Sequence, residues 1–563
     1  MNKTYAALLL VLVFGFGIHA EERNPQVVRA KHGVVVGVSQ PGSEAGLKML
    51  QRGGNSVDAA VATALAMAVT VPEAGNIGGG GFMMILPGPG KPPVCIEYRE
   101  TAPAAATENM FPLNHTRFGH RVVGVPGTLR GLELAHKKYG KLPWKQLVVP
   151  AVQLARDGFE IDAFTAKSLN KVLAGSATKR FAEFQRVFGK EDKKPWAKGD
   201  RLIQPDLAKT FQLIADQGAD AFYRGRIAGW IAEEMQAGGG LITKQDLANY
   251  EAKLRRPIKT SYRGYDVFGA ALPSSGGTTM GLMLNMLENF ELRKQNRWSP
   301  ATAHIMIEVM RRAYLDRARH LGDADFVKIP EQLYSKQYAQ QLAKSIDLNK
   351  ETRSEYLARD IPLADESPST THFSVADSSG MAVSNTYTLE FSYGSRVVVR
   401  GAGFLLNNEM GDFNWKRGHT DRKGRIGTKA NLIQPGKRML SSQTPTLVTK
   451  DGKFYMATGS PGGRTIINTA LGVVLNRLEF GMSLKDAVAA PRLHHQWFPD
   501  VARFEDVEEA KFAPLVQQIK ARGHQLNDKA YIQGDAHSIG VDEKTGRLIG
   551  VADDRRSGFA AGY

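Results

Sequence analysis

Ser369, Thr370 and Thr371 stand side by side in "SPSTTHFSV" (367–375), just ahead of an alternating apolar run. A second run, "MAVSNTYTL", follows across "DSSG", so the two read as a β-hairpin. A two-residue loop sets Asp377 opposite Gly380 and Thr370 opposite Tyr387. A three-residue loop sets Asp377 opposite Met381 and Thr370 opposite Thr388. Opposed residues on one face bring their Cβ atoms within about 4.5–5.5 Å, so the second register lets two hydroxyls meet. Such a pair is either a sheet stabiliser or part of a nucleophilic site.

Other stretches carry chemistry-capable patterns. "TGSPGGRT" (458–465) puts consecutive glycines before a helical segment, where backbone N–H groups can bind an anion or an oxyanion; the alternative is a tight turn. "LLNNEMGDF" (405–413) places Glu409 and Asp412 in a polar turn after a strand, as an ammonium site or as solvated acids. "GNIGGGGF" (75–82) lacks the G-x-G-x-x-G opening of a dinucleotide loop and reads as a close-packed turn. On a strand the two histidines of "LHHQW" (493–497) face opposite ways, which argues against shared ligation. No H-E-x-x-H or Cys/His spacing is present, so no metal is expected. A G-x-S-x-G nucleophile elbow is also missing.

The elements that must position these residues are legible in outline. The run "GVVVGVSQPGSEAGLKMLQRGGNSVDAAVATALAMAVTV" reads strand, helix, helix, with the second helix apolar almost all round and buried, its N-cap region at Ser56/Asp58. From about 125 to 345 the pattern is mainly helical, interrupted by strand, turn and helix in "SYRGYDVFGAALPSSGGTTMGLMLNML". From Thr370 alternating strand pairs dominate. This predicts one layered α+β core with helices over β-sheets, drawn from both sides of residue 370.

Composition narrows the class. "MNKTYAALLLVLVFGFGIHA" (1–20) is a signal peptide by its pattern, implying export to a periplasm or the outside and no anchor after its removal. Cys95 is alone and cannot pair within the chain. The net charge of +17 is dispersed among acids, as in "RRAYLDRARH", without a nucleic-acid module.

Taken together, "EAGNIGGGGFM", "YRETAP", "VPGTLRG", "LPSSGG", "TTHFSV", "LLNNEMGDF", "KRMLSSQTPT", "TGSPGGRTI", "PRLHHQW" and the terminal "AGY" resemble, in order, the γ-glutamyltransferase (γ-glutamyltranspeptidase) family. The resemblance implies an αββα sandwich of the N-terminal-nucleophile hydrolase type. It also implies a precursor that cuts itself between Ser369 and Thr370 into a large subunit (21–369) and a small subunit (370–563), held as a heterodimer. Thr370 would be the nucleophile, activated by its own freed α-amine. Thr388 would orient it, and Gly462 and Gly463 would form the oxyanion hole. Arg99, Ser441 and Ser442 would hold the substrate α-carboxylate. Glu390, Glu409 and Asp412 would hold its α-ammonium. Position 390 is Asn and position 409 Gln in some members. Glutathione is the implied donor, water or an amino acid or dipeptide the acceptor, and no cofactor is needed. The nearest alternatives are a cephalosporin (glutaryl) acylase of the same fold and a non-catalytic exported binding protein. "RGHTDRKGRIGTKA" (417–430) sits where some members carry a lid with an aromatic gate. It has five Lys/Arg and no aromatic residue, so it is expected to be a solvated loop, or a basic lid that favours anionic donors.

Overall fold

A computed structural model describes residues 23–358, 364–365 and 370–563; the expected signal peptide and Ser369 lie outside the described residues. Among the described residues no helix is long and apolar enough to cross a membrane.

Two seven-stranded sheets carry the molecule. The first runs in the order Phe559–Gly562, Gly33–Gly37, Thr371–Asp377, Ala382–Thr388, Gly80–Leu86, Val94–Glu97, Lys253–Arg255. The second runs Gln26–Ala30, Leu548–Ala552, Ser538–Val541, Lys453–Thr458, Thr446–Lys450, Tyr265–Gly269, Ile258–Tyr262. All neighbours pair antiparallel, and both sheets mix strands from the two sides of residue 370.

Side-chain alternation explains the layers. In the first sheet Val35, Met83, Ile85, Val375 and Val383 face a helical layer that includes Ser56–Thr70. Val34, Val36, Phe82, Met84, Ala376 and Ala382 face the other way and meet Leu447, Phe454, Ala457 and Ile539 of the second sheet. The second sheet is covered in turn by Ser275–Leu287, Pro300–His320 and Thr465–Leu478. The order is helix, sheet, sheet, helix. Each fully buried Val or Met contributes about 1.5–3 kcal/mol of apolar transfer, and this core spans both sheets without a disulfide. Cys95 is buried and unpaired.

Two local expectations need amendment, and one mixed-charge stretch takes a place the pattern did not indicate. Ser56–Thr70 is buried along its whole length, but its N-cap is Asn55, which forms a capping box with Asp58. Ser56 is instead the docking point for the hairpin: its N–H and hydroxyl donate to Asp377 Oδ2 at 2.8 and 2.6 Å. The mixed-charge segment "RRAYLDRARH" belongs largely to the interior. It ends the helix Pro300–His320, with Arg311, Arg312 and Arg317 buried. Finally, loop 417–430 is tied down rather than freely solvated. Gly424–Arg425 pairs with Ala364–Asp365, Thr428 donates to Ala318 O at 2.6 Å, and Arg464 Nη1 donates to Gly424 O at 2.6 Å.

Candidate active site

The hairpin adopts the three-residue loop. Asp377 N–H donates to Met381 O at 3.1 Å, and Thr371 lies opposite Tyr387, which sets Thr370 opposite Thr388. The loop residues choose this register. Asp377 Oδ1 accepts the Ser379 N–H at 2.9 Å, and Gly380 takes φ 79°, the left-handed position such a loop ends on. Thr370 donates to Thr388 Oγ1 at 3.4 Å, a long hydrogen bond, and both residues are buried. The N–H of Glu390 donates to the same Thr388 oxygen at 2.9 Å. Asn76, in the glycine-rich turn, donates to Thr388 O at 2.9 Å and fixes the strand end.

The polar positions of Thr371–Asp377 do not face water. His372 and Ser374 share the inter-sheet face, where His372 bonds Thr386 at 2.8 Å and Ser374 at 3.1 Å. Burial holds this imidazole well below its usual pKa, so it is neutral and packs as a satisfied core residue. Ser384 crosses between the sheets, donating to Thr458 O at 3.0 Å and accepting from Thr446 N–H at 3.1 Å. This stitch sets the strand Lys453–Thr458, and the glycine loop that follows it, against the hairpin. Gly462 and Gly463 take φ 130° and 56°, which only glycine adopts readily, and lead into the helix Thr465–Leu478. Thr370, Thr388, Gly462 and Gly463 all line one cavity of about 270 Å³.

The same cavity gathers Arg99, Glu390, Glu409, Asp412, Ser441 and Ser442. Every site residue expected from the sequence that lies among the described residues is therefore at one place. Glu409 and Asp412 are not solvated turn acids after a strand. They are the first and last residues of a short 3-10 turn, Glu409–Asp412, preceded only by an isolated bridge at Leu405. Glu409 is fully buried, with Oε2 2.7 Å from Arg99 Nη1, while Arg99 Nη2 donates to Asp412 Oδ2 at 2.5 Å. Glu100 approaches the same guanidinium at 3.5 Å. Burial opposes charge on Arg99, but Glu409, Glu100 and Asp412 outweigh it and hold the guanidinium protonated. Burial pushes Glu100 up to about 7 against the pull of Arg99. Burial also carries Glu409 well above the carboxylate range, with Arg99 opposing and the neighbouring acids adding. Glu390 sits in left-handed backbone at φ 75° and accepts a hydrogen bond from Asn408. For a non-glycine residue that is strained, and such strain gathers at functional sites.

Ser441 and Ser442 are held by Ser275, in the "LPSSGG" motif to which sequence reasoning assigned no role, and by Arg317, which it did not single out. Ser275 donates its N–H and hydroxyl to Ser441 O at 2.8 and 2.6 Å. Arg317 donates to Ser275 Oγ at 2.8 Å and to Ser442 Oγ at 2.8 Å. The signal for Arg317 lay in its helix: it follows Tyr314 by three, on a face otherwise apolar. "LHHQW" is likewise structural. His494 bonds Asn468 at 2.7 Å and His495 contacts Asp500 at 3.1 Å, both imidazoles buried.

A helix–sheet–sheet–helix sandwich with a threonine opening an inner strand of the cleft defines the N-terminal-nucleophile hydrolase class. Comparison with known proteins narrows this. Residues 42–563 match the family model described as gamma-glutamyltranspeptidase. A glutathione hydrolase proenzyme of Escherichia coli is 43% identical, the alignment covering 97% of this chain and 94% of the relative. A cephalosporin acylase from Bacillus halodurans superposes with TM-score 0.84 at 25% identity, over 98% of this chain and 99% of that one. A γ-glutamyltranspeptidase chain from Helicobacter pylori is 40% identical with TM-score 0.53, over 56% of this chain and 91% of its own. The chain belongs to the γ-glutamyltranspeptidase family.

Proposed function

We propose that this protein is a self-processing γ-glutamyltransferase with glutathione hydrolase activity, exported by residues 1–20 and divided into 21–369 and 370–563. One juxtaposition carries the reading: a Thr370–Thr388 pair at a strand mouth, in one cavity with Gly462–Gly463 and an arginine ringed by carboxylates.

Maturation begins when the Thr370 hydroxyl attacks the Ser369 carbonyl and the peptide nitrogen leaves as the α-amine of Thr370. Water then hydrolyses the ester. The freed amine has an ordinary pKa of about 7.7–8.0, so near neutral pH much of it can take the hydroxyl proton. In turnover Thr370 Oγ1 attacks the γ-carbonyl of the donor, and the oxyanion is met by the Gly462 and Gly463 amides. The amide nitrogen departs as an amine after protonation, leaving a γ-glutamyl ester. Water releases glutamate, and an amino-acid or dipeptide amine gives a new γ-glutamyl product. Thr388 holds the attacking hydroxyl in line.

Recognition of the γ-glutamyl head follows from charge. A zwitterion entering between Arg99 and Asp412 exchanges one ion pair for two. Its carboxylate meets Arg99, Ser441 and Ser442; its ammonium meets Asp412, Glu409 and Glu390. A glutaryl chain lacks the ammonium and would leave those acids without their cation, which weighs against the acylase reading. It weighs equally for a small-molecule donor such as glutathione.

The test is intact mass under denaturing conditions, for the wild type beside Thr370→Ala. Two wild-type fragments meeting at Ser369/Thr370, with the variant uncut, are expected. A folded wild type that stays one chain overturns the proposal. A matched pair of γ-glutamyl and glutaryl anilides separates transferase from acylase.

A further inference from the structure

Resting on the γ-glutamyl reading above, we infer that Lys423 and Arg503 form a subsite for a carboxylate on the departing or accepting amine, namely the C-terminal carboxylate of an amino acid or short peptide. The cavity has two chemically different sides. One, built on Arg99, Glu409, Asp412, Ser441 and Ser442, is committed to an amino-acid head. The other is built from loop 417–430 and the hairpin Leu493–Phe504.

These two segments form one continuous wall. Gly424 packs so tightly on the hairpin that a Cβ there would lie 2.7 Å from Phe498 O. His494 pairs with Arg503 across the hairpin. Arg464, the residue after Gly463, reaches back to Gly424 O at 2.6 Å and joins the wall to the glycine loop. The wall lines the same cavity as the Gly462–Gly463 amides and Arg99. A donor with its γ-carbonyl at those amides and its head at Arg99 thus has this wall within reach of its leaving group.

Two of the loop's five cations are paired away from the cavity, and one lines it. Arg417 pairs with Glu108 at 3.0 Å and Arg422 with Glu355 at 2.9 Å, and neither lines the cavity. Lys423 lines it, as does Arg503, and among the described residues neither is ion-paired. Ile426 and Pro499 supply apolar surface beside them. A peptide ending in a free carboxylate matches this surface; a neutral aromatic amine satisfies only its apolar part.

Exposed cations contribute a factor of a few each, screened by salt. Measure kcat/KM for glutathione and for its C-terminal amide, at low and high ionic strength. The wild type should prefer the acid about five- to tenfold at low salt, the preference shrinking as salt rises. In Lys423→Ala/Arg503→Ala the ratio should fall to about one, Lys423→Arg should keep it, and Lys423→Glu should fall below one. Because the ratio compares two substrates on the same protein, a loss of folded enzyme does not imitate the effect. A wild type without preference, or a double variant that keeps the wild-type ratio, overturns the inference. A wild type that turns over neither compound nor a γ-glutamyl anilide sinks the γ-glutamyl reading along with it.

Discussion

The two sides of the cavity hold charge by opposite means. At Arg99 a single guanidinium is out of water and ringed by Glu409, Asp412 and Glu100, so its field is fixed and only slightly screened. At Lys423 and Arg503 the charges are exposed, and water and salt weaken them at every distance. The buried side suits a head group that must be recognised identically in every turnover. The exposed side suits a leaving group or acceptor that varies. Rigidity and tolerance are thus assigned by burial, not by residue type.

The strongest way to break this contrast is Arg99→Ala. It leaves Glu409 and Glu100 buried without their guanidinium, and breaking such an arrangement costs about 3–5 kcal/mol. A lowered denaturation midpoint and loss of turnover are expected; unchanged stability would mean the pair is not a fixed field. Next is Thr388→Val, which keeps shape and removes the hydroxyl. We expect kcat to fall roughly 10–100-fold with KM little changed, since only orientation of the nucleophile is lost. Thr388→Ser should recover most of it.

Acid sharpens the comparison from beneath. The exposed wall rests on buried imidazoles: burial pushes His494 down to about 3, and burial with the nearby Arg311 pushes His524 down to about 2. In the unfolded chain each takes a proton near 6.5. Their contribution is therefore complete above that pH and is lost as pH falls from about 6.5 toward 3. Each should remove about 2 kcal/mol between pH 7 and pH 5, read as a shift in urea midpoint. A folded His524→Asn variant should lose its share of that slope. Smallest of all, Lys423→Ala should move the midpoint by no more than about 0.5 kcal/mol, however much it alters substrate preference.

How far the sequence carried this picture depends on which residue is asked. The Thr370–Thr388 opposition was half legible: loop length narrowed the register to two choices, and only the Asp377–Ser379 bond and the left-handed Gly380 of the structure select the longer loop. Helices over sheets were legible from periodicity, while the helix–sheet–sheet–helix order came only from the family resemblance. Burial of polar positions was not legible. His372 and Ser374 alternate with Phe373 and Val375 as they would on a solvated strand, yet the second sheet covers them. Only pairing partners distant in the chain, such as His537 O for Ser374, make that tolerable. For the same reason Arg317 was not legible: the serines it binds, Ser275 and Ser442, lie 42 and 125 residues away along the chain. The lid segment 417–430 resisted because its anchors, Ala318 O and the Arg464 guanidinium, lie on other elements.

The strand order of the first sheet bears on what holds the matured protein together. Thr371–Asp377 lies between Ala382–Thr388 and Gly33–Gly37, and Gly33–Gly37 lies between it and Phe559–Gly562. After the proposed break at Ser369/Thr370 the two polypeptides alternate within one sheet like shuffled cards. They cannot part by simple dissociation across a surface, because separation would tear open several backbone ladders at once. Dilution should therefore not dissociate them, and neither piece made alone should recover the fold of its half.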